Sequence, residues 1–314
     1  MSDPTTAQRL DTPTAEIAGT RDRVAAHLVG RERELELTLA AVAAGRDIVL
    51  EGPPGTSKTT MLRAITEEWG IPLLFVEGNA DLTPAKLVGH HNPARVLRED
   101  YNPDNFVAGP LVEAMQRGGF LYIEEFNRAP EDTLNTLLTA MADRSITVPR
   151  VGTIVAAPTF RVVASMNPYD NVGTTRLSTS VSDRLNRLSI DYQDAAAEEG
   201  IVTLRTAASG ALQQRMVADA VAVTRATRVH PDVRQGSSVR GAIDCVLVAV
   251  RLAELRAVRD ADAEGYPELF YDAMVVALSG RIHLDESVET TPERVLREIW
   301  EDRFILQPAA AEPG

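Results

Sequence analysis

A short glycine- and proline-rich segment between an apolar strand and a helix constrains the fold of this chain most strongly. The apolar run Asp47 to Glu51 leads directly into this segment, and a helical pattern follows from Met61 to Trp69. A phosphate-binding loop requires this order, because the helix then begins with backbone N–H groups that face an anion. The predicted loop residues are Gly52, Pro53, Pro54, Gly55, Thr56, Ser57, Lys58, Thr59 and Thr60.

Several residues of this loop match the needs of phosphate binding. Gly52 and Gly55 let the backbone turn its N–H groups inward. Lys58 is expected to reach the β and γ phosphates, and the Thr59 hydroxyl is expected to ligate Mg²⁺. Ser57 stands where the usual pattern has a second glycine, a position where backbone crowding matters, and we expect so small a side chain to be tolerated.

The charge balance and the cysteine count limit the partners and the compartment of the chain. Its 314 residues include 32 Lys and Arg against 45 Asp and Glu, a net charge of −13. Such an acidic surface repels phosphate backbones and anionic lipids, so we expect neither nucleic acid nor a membrane as partner. No apolar run approaches the ~18 residues that a membrane span needs.

Cys245 is the only cysteine, which excludes an intrachain disulfide and indicates a reducing cytoplasm. Its apolar neighbours predict that it is buried.

Short apolar runs alternate with helical patterns between Gly45 and Tyr192, as in a parallel α/β sheet. These runs predict five buried strands, namely Ile48–Leu50, Leu73–Val76, Phe120–Ile123, Phe160–Ala164 and Leu188–Ile190. After Asp194 the strand-like runs largely disappear, which predicts a second, all-helical domain. Its helices are expected over residues 195–208, 211–228, 238–257, 268–279 and 292–301.

These patterns divide the chain into four predicted parts. Residues 1–20 and 305–314 have no periodic apolar face, and we expect them to be flexible tails. Residues 21–193 form the predicted α/β core, which contains the phosphate-binding loop. Residues 194–304 form the predicted helical lid domain.

Polar side chains follow two of the predicted strands at their carboxyl ends, where ligands gather in open α/β sheets. Glu124 and Glu125 come directly after one strand, and Asn167 follows the next. We assign Glu124 to the hydration shell of Mg²⁺ and Glu125 to the water that attacks the γ phosphate. Asn167 is placed to orient that water or a γ-phosphate oxygen. Taken alone, the paired acids are equally typical of a solvated loop start, and Asn167 with Pro168 is typical of a plain turn.

Together these motifs resemble the AAA+ ATPases, and within them the MoxR group, over about residues 25–305. The loop is similar to Walker A, and the strand with its two acids is similar to Walker B. The segment Asn127-Arg128-Ala129-Pro130 matches the Asn-Arg-Ala-Pro of MoxR proteins, whereas Glu124 stands in place of the family's Asp and is one methylene longer. Val29 and Gly30 lie in a stretch that looks like the AAA+ segment that meets the adenine.

The resemblance implies roles for further residues. Asn167 resembles sensor 1, and Arg240 resembles the sensor 2 arginine of the MoxR group. Arg184 matches the arginine that acts on the nucleotide of the neighbouring subunit, with Arg187 as the reserve. Residues 86–108 are similar to the insert of MoxR and CbbQ/NorQ-type ATPases, which forms hairpins over the ring pore.

The implied function is that of an ATP-hydrolysing ring, expected to be a hexamer, with ATP and Mg²⁺ as cofactors. In the family such rings remodel or activate other proteins in a chaperone-like way, and the resemblance implies a von Willebrand A-domain protein as partner. Small-molecule kinases also carry phosphate loops, but the paired acids and the lid arginine are not their pattern.

Two other functions stay open at this point. A nucleic-acid motor is opposed by the net charge of −13 and by the lack of a Lys/Arg cluster in residues 86–108. A ring scaffold that binds ATP with little hydrolysis is suggested by Ser57 and Glu124, the two departures from the family pattern.

Overall fold

The computed structural model describes residues 14–99, 101–167 and 178–306, so most of the predicted tails lies outside the described residues. The chain divides into two compact units. One unit contains the residues up to Asp191 without Pro54–Thr56, and the other contains Pro54–Thr56 together with the residues from Tyr192 onward.

The first unit alternates helices with strands. Its elements are, in chain order, α1 (Thr14–Ala25), α2 (Glu32–Ala43), β1 (Ile48–Glu51), α3 (Lys58–Trp69), β2 (Leu73–Glu77), α4 (Pro84–Val88), β3 (Gly89–His91), α5 (Pro93–Glu99), β4 (Phe106–Ala108), α6 (Pro110–Arg117), β5 (Phe120–Glu124), α7 (Glu131–Asp143), β6 (Ser145–Val148), β7 (Gly152–Val155), β8 (Arg161–Met166), α8 (Thr179–Arg184) and β9 (Asn186–Ser189). Short 3₁₀ turns cover Pro103–Asn105 and Phe126–Arg128.

Five of these strands form one parallel sheet in the order β2-β5-β8-β1-β9. They coincide with the five predicted runs, so the predicted fold class with a five-stranded parallel sheet is confirmed. The register pairs Glu51 with Met166 and Glu77 with Glu124. The carboxyl ends of β1, β8, β5 and β2 therefore lie along the same edge of the sheet.

Apolar side chains cover both faces of this sheet, which explains why its central strands are continuous apolar runs. Leu121 and Ile123 of β5 belong to the cluster that includes α6 and α7. Phe120 and Tyr122 of the same strand belong to the cluster that includes α2 and α3. Because successive side chains of a strand point to opposite faces, Tyr122 faces the α2 and α3 layer.

In the described part of the first unit, two antiparallel pairs of strands lie outside the parallel sheet. In the predicted insert, β3 pairs with β4, and α5 lies between them in the chain. The pair β6 and β7 follows α7 and is not among the predicted strands. The two pairs touch, since the Arg150 guanidinium carbon lies 5.0 Å from the centre of the Tyr101 ring. His91 Nε2 also lies 3.4 Å from the Pro149 carbonyl oxygen.

Helix α1 corrects the predicted N-terminal tail. The sequence pattern predicts a tail over residues 1–20, whereas a helix begins at Thr14. Thr20 is fully buried, and its hydroxyl accepts a 2.9 Å hydrogen bond from the indole N–H of Trp69. The sequence pattern misses this helix because few of its residues are apolar and because a polar contact helps to attach it to α3.

The second unit is built mainly from helices, as predicted. Its elements are, in chain order, α9 (Ala195–Thr206), α10 (Ala211–Val229), β10 (Val233–Gln235), α11 (Val239–Arg256), α12 (Tyr266–Leu278), β11 (His283–Leu284) and α13 (Pro292–Glu301). The five predicted helices are confirmed, and the short antiparallel pair β10 and β11 corrects the expectation of an all-helical domain. These two strands are too short to produce a strand pattern in the sequence. A π-helical turn over Asp302–Leu306 also continues beyond the predicted start of the tail at residue 305.

The core of the second unit is apolar around Cys245, which is fully buried as the sequence predicts. Within the described part of the chain, no helix is long and apolar enough to cross a bilayer.

Asp47 joins three elements of the first unit from a nearly buried position. Its carboxylate accepts hydrogen bonds from the Val162 N–H at 2.7 Å and from the Arg144 guanidinium at 2.9 Å. Arg144 follows α7 and Val162 lies on β8, so one side chain ties the end of a helix to two adjacent strands. Burial raises the pKa of Asp47 more than the charge of Arg144 lowers it. Desolvation therefore outweighs the attraction within this ion pair.

Replacing Asp47 with alanine should destabilise the first unit, because the Val162 N–H and the Arg144 guanidinium lose the carboxylate they share. We expect the free energy of unfolding to fall by about 3 kcal/mol, a typical loss when one partner of a buried pair is removed. Urea denaturation followed by circular dichroism measures this change. Asp143→Ala, at an exposed position of α7, is the matched control and should change stability by less than about 0.5 kcal/mol. Equal stability of the two variants would contradict the role given to Asp47.

Candidate functional site

The predicted loop between β1 and α3 begins at the carboxyl edge of the sheet. The Gly52 N–H donates a 3.1 Å hydrogen bond to the carbonyl of Met166, the residue before Asn167. The Gly78 N–H donates a 2.7 Å hydrogen bond to the Glu124 carbonyl. Because β8 lies between β1 and β5 in the sheet, the loop, Asn167 and the two acids all follow neighbouring strands at one edge.

Close packing and a tight turn explain the two glycines of the loop. A Cβ atom on Gly52 would lie 1.8 Å from the Ile190 carbonyl oxygen, so only glycine fits at this position. Gly55 has a φ of +77°, a left-handed conformation that glycine adopts without steric strain. Among the other loop residues, Pro54 and Thr60 are exposed, whereas Pro53 and Thr56 are buried.

The conformation of Ser57 explains why the usual pattern has glycine here. Its φ is 65° and its ψ is 16°, in the left-handed region, directly before the first residue of α3. A residue with a Cβ atom adopts this conformation at a cost of roughly 1–2 kcal/mol. The sequence-based expectation considers crowding alone, whereas the backbone conformation imposes a constraint that a small side chain does not relieve.

Lys58 is a nearly buried cation at the start of α3. Its ammonium group donates hydrogen bonds to the carbonyl oxygens of Gly52 at 2.9 Å and of Pro53 at 2.7 Å. A phosphate would be a stronger partner than these neutral carbonyls, because ionised acceptors make stronger hydrogen bonds. The N-terminus of α3 also favours an anion through its dipole and its N–H groups.

Thr59 is connected to both central strands of the site through a tyrosine. Its hydroxyl oxygen lies 3.2 Å from the Tyr122 hydroxyl oxygen, which in turn lies 3.0 Å from the Ser165 hydroxyl oxygen. Tyr122 is on β5, and Ser165 is on β8, two residues before Asn167. A chain of three hydroxyl groups therefore runs from the start of α3 to the strands that end in the two acids and in Asn167.

The two acids at the end of β5 differ in backbone conformation and in surroundings. Glu124 ends the strand, and by alternation it lies on the same face as Tyr122. Glu125 has a φ of 52° and a ψ of 44°, so the chain leaves the strand direction at this residue. Its carboxylate lies 3.1 Å from the Arg128 guanidinium, and both side chains are partly exposed. The two carboxylates are thus distinguishable, as two separate roles require.

The residues predicted to meet the adenine lie in the turn between α1 and α2. Val29 is partly buried, and Gly30 has a φ of +61°. The next residue, Arg31, is nearly buried and donates a 2.6 Å hydrogen bond to the Asp191 carbonyl. This contact fixes the turn to the last residue of the first unit.

The predicted arginines lie in three different settings. Arg184 is exposed at the end of α8 and donates a 3.0 Å hydrogen bond to the Ser180 carbonyl. Arg187, on β9, forms an ion pair with the buried Glu51 carboxylate of its own chain. Arg240 lies in the second unit, on the first turn of α11, and is exposed. Because Arg187 is already paired with an acid, the geometry favours Arg184 for a contact with another subunit.

The side chains at this edge fit a magnesium nucleotide. Thr59 offers a hydroxyl oxygen and Glu124 a carboxylate oxygen, and oxygen atoms are the ligands that Mg²⁺ prefers. Lys58 and the N-terminus of α3 offer a positive environment for phosphates. The roles of the individual residues remain predictions.

Two further residues, Tyr122 and Gly78, shape this site without having been predicted as site residues. Tyr122 carries a hydroxyl group within the buried apolar run Phe120–Ile123 of β5, and that contrast is the signal that could have revealed it. Gly78 follows β2, and a Cβ atom there would lie 2.4 Å from the Glu125 carbonyl oxygen. Its requirement for glycine depends on a contact across two strands, which the local sequence does not show.

Comparison with known proteins defines the class. The family AAA domain (dynein-related subfamily) matches residues 47–185, the stretch that contains the loop, the two acids and Asn167. An ATPase candidate from Cytophaga hutchinsonii has the same fold with a TM-score of 0.50 at 20% identity, covering 91% of this chain and 93% of that chain. A variant of RuvB from Thermotoga maritima aligns with a TM-score of 0.53 at 17% identity, over 82% of this chain and 73% of RuvB. Residues 47–185 of this chain therefore match an AAA domain, and the solved structures share its fold.

Sequence relatives support the narrower placement in the MoxR-type group. The gas vesicle ATPase GvpN of Ancylobacter aquaticus is 28% identical over 229 residues, which are 67% of this chain and 62% of GvpN. An uncharacterised protein of Staphylococcus saprophyticus is 26% identical over 230 residues, which are 68% of this chain and 82% of that protein. The resemblance identified from the motifs is thereby confirmed.

Replacing Ser57 with glycine should stabilise the protein, because glycine adopts the left-handed conformation without the steric cost. After allowance for the greater flexibility of glycine in the unfolded chain, we expect a gain of about 0.5–1 kcal/mol. Chemical denaturation measures the change. Ser57→Ala keeps the Cβ atom and is the matched control, so its stability should stay close to that of the parent. If glycine destabilised the protein more than alanine, the assigned backbone conformation would be wrong.

Proposed function

We propose that this protein is an ATP-hydrolysing AAA+ ATPase of MoxR type that works as a ring and remodels or activates a partner protein. The observation that carries the proposal is the position of the phosphate-binding loop, Glu124, Glu125 and Asn167 after neighbouring strands at one edge of the sheet. AAA+ ATPases typically form rings, and we propose a hexamer in the cytoplasm. ATP and Mg²⁺ are the proposed ligands.

We propose a role for each residue of the site, and the geometry of the side chains supports these roles. Lys58 exchanges its carbonyl partners for phosphate oxygens, and Thr59 presents its hydroxyl oxygen to the metal. Bound Mg²⁺ would supply positive charge that stabilises the phosphates. Glu124 holds a water of the metal's hydration shell, and Glu125 orients the attacking water and accepts its proton. Asn167 orients the water or a γ-phosphate oxygen.

Further parts of the proposal concern the second unit and the neighbouring subunit. Arg240 is proposed to act as sensor 2 and Arg184 as the arginine supplied to the next chain, which makes each active site incomplete without a neighbour. Val29 and Gly30 are proposed to contact the adenine. The insert with β3 and β4 is the proposed pore-facing element.

A protein partner is favoured over a nucleic acid. The net charge of −13 opposes binding to a phosphate backbone. GvpN, which matches 67% of this chain, is named a gas vesicle ATPase, and this name supports an ATPase activity. We propose a von Willebrand A-domain protein as the partner.

Replacing Glu125 with glutamine should separate nucleotide binding from hydrolysis. The amide keeps the shape of the side chain but cannot accept a proton, so we expect ATP affinity within about twofold of the parent and turnover lowered by about 10²–10⁴-fold, the usual contribution of a general base. Labelled-ATP binding and steady-state phosphate release measure the two effects. Lys58→Ala is the contrasting variant and should lose affinity as well. Normal phosphate release by the Glu125→Gln variant would overturn its role.

The same variant tests the partner. Because the Glu125→Gln variant is expected to bind ATP without hydrolysing it, the variant should stay in the ATP-bound state. A co-expressed von Willebrand A-domain protein should then remain bound during purification in buffer with ATP and be released in buffer with ADP. Retention that is equal in both nucleotides, or absent in both, would contradict the proposed partner without affecting the hydrolysis result.

Mixing two inactive variants should restore activity if the sites are shared between subunits. Arg184→Ala keeps a sound pocket but donates no arginine, whereas Glu125→Gln has a dead pocket and a sound arginine. In an equal mixture about a quarter of the interfaces of a head-to-tail ring join a sound pocket to a sound arginine. Phosphate release should therefore reappear after subunit exchange, which fluorescence transfer between labelled chains monitors. A mixture as inactive as its parents despite exchange would exclude Arg184, and Arg187 would be tested next.

A further inference from the structure

Tyr122 is the unexpected residue of the candidate site. It lies in the middle of β5, where every residue from Phe120 to Ile123 is buried, and its ring is fully covered. A buried phenol needs hydrogen-bond partners, because an unpaired hydroxyl in an apolar core is destabilising. The partners found here are the hydroxyl groups of Thr59 at 3.2 Å and Ser165 at 3.0 Å.

The direction of these hydrogen bonds matters for the proposed metal ligand. A threonine hydroxyl has one hydrogen and two lone pairs, and a metal ligand must turn a lone pair towards the cation. If Tyr122 donated to Thr59, the hydrogen of Thr59 would be free to point towards the metal position. If Thr59 donates to Tyr122, its lone pairs are left for the metal, and the phenol hydrogen goes to Ser165.

The surroundings of Tyr122 fit this second arrangement. The phenol has one hydrogen to donate, and its shorter contact is with the Ser165 hydroxyl oxygen, at 3.0 Å against 3.2 Å for Thr59. In this arrangement Ser165 accepts that hydrogen. Glu124 lies two residues further along β5, so the proposed metal-side carboxylate is on the same face of the strand as Tyr122, which contacts Thr59.

We propose that Tyr122 is a positioning residue for the magnesium site, which accepts the hydroxyl hydrogen of Thr59 and so holds the Thr59 oxygen towards the cation. This inference rests on the proposed binding of a magnesium nucleotide. Tyr122 itself does not touch the metal, and its effect reaches the metal through Thr59. Ser165 completes the arrangement because it fixes the direction of the phenol hydrogen.

A purely structural role predicts a different outcome. The Tyr122 ring packs against Phe75 with 5.7 Å between ring centres and belongs to the core cluster of α2 and α3. Tyr122→Phe keeps this ring and removes only the hydroxyl. If packing were the whole role, this variant would bind nucleotide like the parent with and without metal.

The test measures how strongly Mg²⁺ promotes binding of a fluorescent ATP analogue, with the full-length chain and with EDTA as the metal-free reference. For Tyr122→Phe we expect an unchanged affinity for the analogue in EDTA. The Mg²⁺ concentration that gives half of the full effect on binding, here called the Mg²⁺ midpoint, should rise about five- to tenfold, which corresponds to the loss of about one hydrogen bond. Mn²⁺ electron paramagnetic resonance, which follows bound metal directly, should show the same shift. Tyr271→Phe, on α12 of the second unit, is the control and should leave both midpoints unchanged.

A second variant tests the direction of the chain of hydroxyl groups. Ser165→Ala removes the acceptor of the phenol hydrogen, so it should raise the Mg²⁺ midpoint in the same sense. Because the two side chains act through one path, the double variant should be no weaker than Tyr122→Phe alone. Additive effects would overturn the arrangement.

The remaining outcomes separate this inference from the proposed function. An unchanged Mg²⁺ midpoint in Tyr122→Phe, beside a parent whose binding depends on Mg²⁺, would overturn the role of Tyr122 and leave the proposed function intact. An equal loss of affinity in EDTA and in Mg²⁺ would show a packing role and would also overturn it. A parent whose nucleotide binding ignores Mg²⁺ would overturn the proposed metal site itself.

Discussion

The parallel pairing of β1, β8 and β5 is the constraint on which the site depends. Parallel strands in register end at the same edge, so residues that are far apart in the chain leave the sheet side by side. Two backbone hydrogen bonds, from Gly52 to Met166 and from Gly78 to Glu124, extend this order one residue past the strands. The site therefore does not need long side chains to reach across a cleft. The backbone hydrogen bonds between the strands bring the loop, the two acids and Asn167 to neighbouring positions at this edge.

The sequence predicted the sheet and the large helices well because their signals are local. Five buried strands are five apolar runs, and the loop is recognisable from its glycines and Lys58. What the sequence did not reveal depends on contacts between distant residues or on backbone conformation. The left-handed φ of Ser57 leaves no trace in composition, and helix α1 depends partly on a hydrogen bond between Thr20 and Trp69. The role of Tyr122 likewise depends on Thr59 and Ser165, which are distant in the sequence.

Buried charges organise the second unit in a way that apolar periodicity cannot predict. The Asp219 carboxylate is fully buried and accepts hydrogen bonds from Arg215, Tyr266 and Arg303. Arg228 pairs with the buried Glu198, lies 3.8 Å from the centre of the Tyr192 ring and donates a hydrogen bond to the Ser237 carbonyl. Such groups must be paired to be tolerated inside a protein. The turn before Arg240 is thus held by an arginine on α10.

A ligand that binds Lys58 would have to replace its hydrogen bonds to the Gly52 and Pro53 carbonyl oxygens. When a ligand replaces these two hydrogen bonds, the ammonium group gains only the difference in free energy between the new and the old bonds. A neutral ligand such as a nucleoside would therefore add almost no binding free energy at Lys58. An ionised phosphate offers stronger acceptors and makes the exchange favourable. If the loop binds a nucleotide as proposed, the resting contacts of Lys58 would favour a charged phosphate group over a neutral group before any contact with the base is made.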